Sequence, residues 1–243
     1  MAEEKKKGMN TNSNSYTIIY AAVIVVIVAF LLAFVFQALK PAQDANVALD
    51  KKKQILYSLN IRNLDDAQAA AKYKEVVTAD EVINADGQVT VKGEVGGEKA
   101  GFKLNSADAK AGKLALYVCK VDGKVKYVIP VYGMGLWGPI SGYIAINGDK
   151  ATVYGAYFNH ESETAGLGAE IKDNLQWQEQ FQGKNLFAGG KKDAIALAVK
   201  KKSDIKDPGT QVDAVTGATL TSNGVSNMLH DGLTPYLKFL NVK

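Results

Sequence analysis

From Thr17 to Phe36 the chain reads TIIYAAVIVVIVAFLLAFVF, twenty residues without a charge. At about 1.5 Å of rise per residue, a helix of that length covers the roughly 30 Å hydrocarbon core of a bilayer. A cleaved signal peptide has a shorter apolar core, about 7–15 residues, followed by a small-residue cleavage site. Here the run ends in Gln37-Ala38-Leu39-Lys40-Pro41, a poor site for cleavage, so a retained anchor is expected over residues 16–38. Lys5 to Lys7 flank one end, and Lys40 with Lys51 to Lys53 flank the other. The positive-inside rule therefore leaves the orientation open.

The 243-residue chain as a whole is nearly balanced in charge, 29 basic residues against 25 acidic. Its lysines come in short runs without interleaved aromatics, so no nucleic-acid partner is expected. The single cysteine, Cys119, excludes an intrachain disulfide and any multi-cysteine metal centre. It lies in the apolar run KLALYVCKV and reads as a core thiol. His160 and His230 lie far apart, without metal-ligand spacing, and no metal is expected.

Residues 1–15 read as a disordered polar tail. Residues 39–110 read as a membrane-proximal helical and hairpin region. In it, Val47, Leu49, Ile55, Leu56 and Leu59 follow helical spacing, and a second helix is expected through LDDAQAAAKYKEVV, with Asp65 or Asp66 near its start. The glycine-punctuated ADGQVTVKGEVGGEKAG reads as hairpin or loop. Residues 111–243 form the expected main domain. LALYVCKV and KVKYVIPVY flank Asp122-Gly123, a strong hairpin signal, and ISGYIAI and ATVYGAYF flank Asn147-Gly148-Asp149, read as a turn of the same type. Tight turns between successive strands call for an antiparallel sheet. LQWQEQF reads as helix, KKDAIALAVK as strand and the last twenty residues as helix, which makes the fold α+β.

Gly133-Met134-Gly135-Leu136-Trp137-Gly138 matches the spacing of a dinucleotide-binding loop. That loop needs its third glycine on a helix whose amino end holds the pyrophosphate. Pro139 and another strand follow instead, so the match is formal. Trp137 remains a candidate stacking surface for a bound group.

VDAVTGATLTS, residues 212–222, sets hydroxyls at Thr216, Thr219, Thr221 and Ser222 around a Gly-Ala pair. Val225, Met228, Leu229, Leu233, Leu237 and Leu240 then recur at helical spacing, which starts a helix near Thr221 or Ser222 with either as cap. Thr219 then lies just before a helix amino end, where free N–H groups and the dipole favour a phosphate, and Gly217 lets backbone come close to an anion. A plain hydroxyl-rich cap and a phosphate site both satisfy this pattern.

Asp213-Ala-Val-Thr216-Gly217-Ala218-Thr219 closely resembles the flavinylation motif of the FMN-binding domain family. In that family the last hydroxyl is joined to the phosphate of FMN by a separate flavin transferase. The resemblance implies covalent FMN on Thr219, with Asp213 and Thr216 at the positions the transferase reads. HESETAGLGAEI resembles the family's Glu-Thr-Pro-Gly-Leu-Gly stretch near the flavin. Glu163, Thr164, Gly166, Leu167 and Gly168 match, and Ala165 stands in place of the proline. Two groups share these motifs and the single anchor: the C-type subunit of the sodium-translocating NADH:quinone oxidoreductase and the G-type subunit of the Rnf complex. LDKKKQIL, GLWGPISGYIAI and SNGVSNML look more like the first.

The resemblance implies an electron relay within a sodium-pumping complex, inactive alone. Its partners would be the other membrane subunits, lipid and, during maturation, the transferase. It also implies a single-pass protein of the bacterial inner membrane with a cytoplasmic amino terminus and a periplasmic flavin domain. The site residues it implies are Thr219, Asp213, Thr216, Gly217, Ala218, Thr221, Ser222, the matched residues of 163–168 and Trp137. A reading of another class, a membrane-anchored binding module whose VTGATLTS is only a cap, predicts a colourless domain.

Overall fold

A computed structural model describes residues 11–242. The tail expected over 1–15 lies, up to residue 10, outside the described residues. Helix α1 (Asn14–Ser58) then begins. Its apolar residues from Ile18 to Phe36 are exposed on every side, and the helix is long and apolar enough to cross a membrane. The chain divides into two compact units, one up to Ala48 and one from Leu49 on.

In the second unit the end of α1 buries Ile55 and Leu56, and Leu59 just beyond it. The three lysines before them have separate tasks. Lys51 Nζ donates to the carbonyls of Phe102 and Leu104. Lys52 pairs with Glu98 at 2.7 Å, and Lys53 with Asp66 at 2.5 Å. Asp66 opens α2 (Asp66–Val76), whose cap Asp65 accepts from the Gln68 N–H while the Gln68 side chain accepts from the Asp65 N–H. Two orphan donors are satisfied at once, the reason this spacing starts a helix.

The chain enters β1 (Val77–Ile83) directly and returns as β2 (Val89–Val91). A loop over 92–104 leads to the short α3 (Ser106–Lys110). Next come β3 (Leu114–Val121), β4 (Lys124–Met134), β5 (Pro139–Asn147) and β6 (Val153–His160). All six strands form one antiparallel sheet in the order β2-β1-β3-β4-β5-β6. The sheet thus runs across residue 110, where sequence pattern alone suggests a boundary.

At the β3–β4 turn Asp122 and Gly123 both have positive φ, 50° and 76°, as a two-residue turn matching the strand twist requires. The β5–β6 turn is of a different type. There Asp149 Oδ1 accepts from the N–H groups of Ala151 and Thr152, and Lys150 carries the positive φ.

Alternation gives the sheet two buried faces. Tyr117, Cys119, Tyr143 and Tyr157 line one, with the Tyr157 ring 5.3 Å from that of Tyr57 at the end of α1. Burial pushes the Cys119 thiol well above its ordinary range, consistent with an inert core residue. Ile129, Val131, Ile140, Ile144 and Phe158 line the other face. They pack under α4 (Glu170–Asp173), α5 (Leu175–Glu179) and α6 (Thr219–Leu233).

The strand expected across KKDAIALAVK shrinks to β7 (Ala198–Lys200), which pairs in parallel with β8 (Gln211–Asp213). The last helix is α7 (Leu237–Asn241). Helix α6 lies unusually close to β4, because glycines stand where they touch. A Cβ on Gly133 would meet Met228 Cβ at 2.6 Å, and one on Gly232 would meet Val131 Cγ1 at 2.8 Å. Nearer the amino end of α6, a Cβ on Gly224 would collide with the Met134 carbonyl oxygen, which sets the first half of the helix against the start of the β4–β5 connector.

Candidate functional site

The loop 214–218 carries the chain from β8 to α6. Asp213 is held at its start by two side chains from α5 and its end: its N–H donates to Gln180 Oε1 at 3.1 Å, and its carbonyl accepts from Trp177 Nε1 at 2.8 Å. Sequence reasoning misses Trp177 and Gln180; an indole inside the polar LQWQEQF is the available signal. Gly217 has φ +78°, a conformation costly for a residue with a Cβ, and an added Cβ would also meet Leu167 Cδ2 at 2.9 Å. Thr216 is exposed and Thr219 half-buried.

The helix does not begin where the hydroxyls suggest. Thr219 is its first residue and Ala218 its cap, with no side-chain hydrogen bond to the first turn. Thr221 and Ser222, expected as caps, are buried and engaged elsewhere. Ser222 Oγ accepts from the Val215 N–H at 3.1 Å, which pins the loop from inside. Thr221 Oγ1 donates to Glu163 Oε2 at 2.5 Å. The amino end of a 15-residue helix is thereby left without a side-chain cap beside a tight glycine turn. First-turn N–H groups and a positive dipole end in that arrangement suit a phosphate, so the residues present fit the phosphate end of FMN.

Glu163 joins three segments. Its Oε1 accepts from the Trp137 N–H at 2.9 Å, its Oε2 from Thr221, and its own N–H donates to His160 Nδ1 at 3.2 Å. The carboxylate sits between two glycines: a Cβ on Gly135 or on Gly168 would collide with it. This explains the formal dinucleotide spacing. Gly133 admits α6, Gly135 admits Glu163, and Gly138 lies against Ser162.

Thr164 is exposed, and its carbonyl accepts from the Leu167 N–H at 3.1 Å while Gly166 has φ +72°. That is the arrangement of a type II turn, with Ala165 at the position that favours proline. The turn closes without the proline.

Thus the structure gathers Glu163, Gly168, the Trp137 backbone and Thr221 at one point, and Leu167 and Gly217 at a second beside it. Gly166, Asp213 and Thr216 line an adjacent cleft of about 410 Å³ with Glu170 and Asn174. Met134, Leu136, Trp137, Leu167 and Leu220 are all exposed, Trp137 to 67%. The segments 134–139, 164–168 and 214–220 contain no charged residue. A broad apolar, uncharged surface around an uncapped helix end suits a planar ring system tethered by its phosphate.

Residues 135–234 match the FMN-binding domain family. The C-type subunit of the Na(+)-translocating NADH-quinone reductase of Haemophilus ducreyi is 32% identical over 94% of this chain and 95% of its own length. The crystal structure of the same subunit from Parabacteroides distasonis superposes with a TM-score of 0.76. It is 36% identical and covers 84% of this chain and 98% of that one. NqrC of Shewanella oneidensis superposes with a TM-score of 0.66 at 25% identity, over 82% of this chain and 97% of that one. These likenesses span nearly the whole length, and the FMN-binding match falls on the segment that holds the uncapped helix. On that footing the chain belongs to the family of C-type subunits of the Na(+)-translocating NADH-quinone reductases.

Proposed function

We propose that this chain is the FMN-carrying electron-relay subunit of a sodium-pumping NADH:quinone reductase, with FMN held by a phosphoester to Thr219 Oγ1. The observation that carries the reading is the amino end of α6. Thr221 and Ser222 are turned inward, no side chain caps the helix, and Thr219 stands half-buried at its first position. The phosphate would meet the first-turn N–H groups, with Gly217 and Ala218 giving backbone access. Asp213 and Thr216, on the rim of the adjacent cleft, would be read by the flavin transferase.

Bound FMN supplies one- and two-electron transfer; the protein supplies attachment, orientation and surroundings. Trp137 and Leu167 offer exposed apolar faces to the ring, and the Thr164 turn sets the position of Leu167. Helix α1 serves as a membrane anchor through residues 17–36, against lipid and neighbouring membrane subunits. In this reading the amino terminus is cytoplasmic and the flavin domain periplasmic. An anchor without an internal carboxylate provides no ion path. Electron transfer therefore belongs to the assembled complex.

The test is purification from the native host beside a Thr219→Ala variant. The wild type should fluoresce as a flavoprotein in a denaturing gel and travel with an NADH-oxidising, quinone-reducing membrane complex. The variant should be colourless. A wild type without flavin from a host that has the transferase would overturn the reading.

A further inference from the structure

Glu163 is only 7% exposed, and both of its carboxylate oxygens are engaged inside the protein. Its partners come from elements far apart in sequence: the β4–β5 connector through the Trp137 N–H, and the first turn of α6 through the Thr221 hydroxyl. Gly135 and Gly168 form walls that admit the carboxylate and nothing larger. A carboxylate beside a phosphate would repel it, so a residue of this charge is ill suited to hold that group directly. Turned inward behind Thr221, it does something else.

We infer that Glu163 is the positioning residue of this site: through Thr221 and the Trp137 N–H it locks the acceptor helix end and the apolar connector into one geometry, without touching the cofactor. The inference rests on the reading of Thr219 as the flavin acceptor. Thr221 lies two residues after Thr219 in the same first turn, so fixing its side chain fixes the rotation of that turn. Trp137 directly follows Leu136, so holding its N–H sets where the exposed apolar face stands. The charge makes the two hydrogen bonds stronger than neutral ones of the same length would be. The glycine walls keep the carboxylate from taking other rotamers.

The experiment uses full-length protein expressed with the flavin transferase. It follows the fraction of chain carrying FMN by intact mass over time, together with the melting temperature and the flavin midpoint potential of the loaded protein. Thr221→Val removes the hydroxyl and keeps the shape. It should load FMN about tenfold more slowly, the scale of one lost charge-assisted hydrogen bond, and shift the potential of what loads. Thr221→Ser restores the hydroxyl and should restore both readouts. Glu163→Gln keeps the shape and an oxygen for one of the two donors but gives up the charge on both hydrogen bonds. It should also load more slowly than wild type, by no more than Thr221→Val, with the potential shifted. If Thr221→Val does not accumulate, Thr221→Ala takes its place.

A Thr221→Val protein that loads at the wild-type rate with an unchanged potential, and differs only in melting temperature, would make the pair an ordinary brace and overturn the inference. So would a Glu163→Gln protein that fails to load while Thr221→Val succeeds, because the carboxylate would then act directly. A wild type carrying no FMN overturns both this inference and the function it rests on, whereas either variant result overturns this inference alone.

Discussion

Two buried carboxylates organise the second unit, and they do it differently. Asp80, on β1, is fully buried and accepts from three backbone N–H groups of one loop: Glu94 at 3.2 Å, Ala100 at 2.9 Å and Phe102 at 3.2 Å. Gly93 and Gly97 press against it, and a Cβ on either would collide with the Asp80 side chain. Lys51 closes the far side of this loop through the Phe102 and Leu104 carbonyls. Glu163 has the same kind of glycine walls, but its partners lie up to 58 residues away from it in sequence and it is bordered by exposed apolar side chains. A glycine-walled carboxylate is therefore a structural device in both places. What makes one of them part of the proposed site is its surroundings: an uncapped helix end and an uncovered apolar face beside Glu163, a glycine-rich loop around Asp80.

The sharpest way to break this comparison is at Asp80. Asp80→Ala leaves three N–H groups unpaired, that of Phe102 buried and those of Glu94 and Ala100 part-buried. At about 1–3 kcal/mol for a buried group and less for the others, denaturant unfolding should show a loss of about 2 kcal/mol or more. The protein that remains folded should still load flavin fully. Impaired loading in that folded fraction would show that the two devices are not separate.

Gly217→Ala acts on the other side of the comparison. It places a Cβ at positive φ, at a cost of about 1–2 kcal/mol, and pushes on Leu167. Flavin loading should fall by far more than the melting temperature does.

A smaller difference separates Lys51→Met from wild type and depends on pH. Burial lowers the Lys51 ammonium to about 8, partly opposed by Asp80. Between about pH 8 and its unperturbed value the unfolded chain binds more protons at this residue than the folded chain does. Stability contributed by Lys51 should therefore rise with pH from about 8 towards 10, and the rise should vanish in Lys51→Met. Equal pH profiles for the two proteins would remove Lys51 from the Asp80 device. The smallest effect is expected of Ala165→Pro, which should gain about 0.5 kcal/mol by restricting the unfolded chain at a turn position that already favours proline.

The hairpins are legible in the sequence because their turns are local. Asp122-Gly123 needs two positive φ values, and nothing beyond the dipeptide decides that. The long apolar helix is legible from an uninterrupted run of apolar residues, and the start of α2 near Asp65 from its local cap. Strand β1 is hidden, because Asp80 in its middle looks out of place until the loop around it is folded. The start of α6 is misplaced for a related reason. Thr221 and Ser222 have the chemistry of caps, but their hydroxyls are drawn to Glu163 and to the Val215 N–H, partners that only the tertiary fold supplies. The shortening of KKDAIALAVK to three paired residues reflects its partner β8, which is itself three residues long. Apolar pattern sets the burial of Ile195 and Leu197 but cannot set the ladder.

The central proposal is chemical and local: that FMN is carried on Thr219 and on no other hydroxyl of this loop. Fragmentation of the peptide spanning residues 212–222, taken from protein made in its own host, tests it directly. The account predicts an added mass of FMN less water on Thr219, with Thr216, Thr221 and Ser222 unmodified. Flavin on Thr221 or Ser222 would contradict it, because both are committed to buried hydrogen bonds here, and an unmodified peptide would return the loop to a plain helix start.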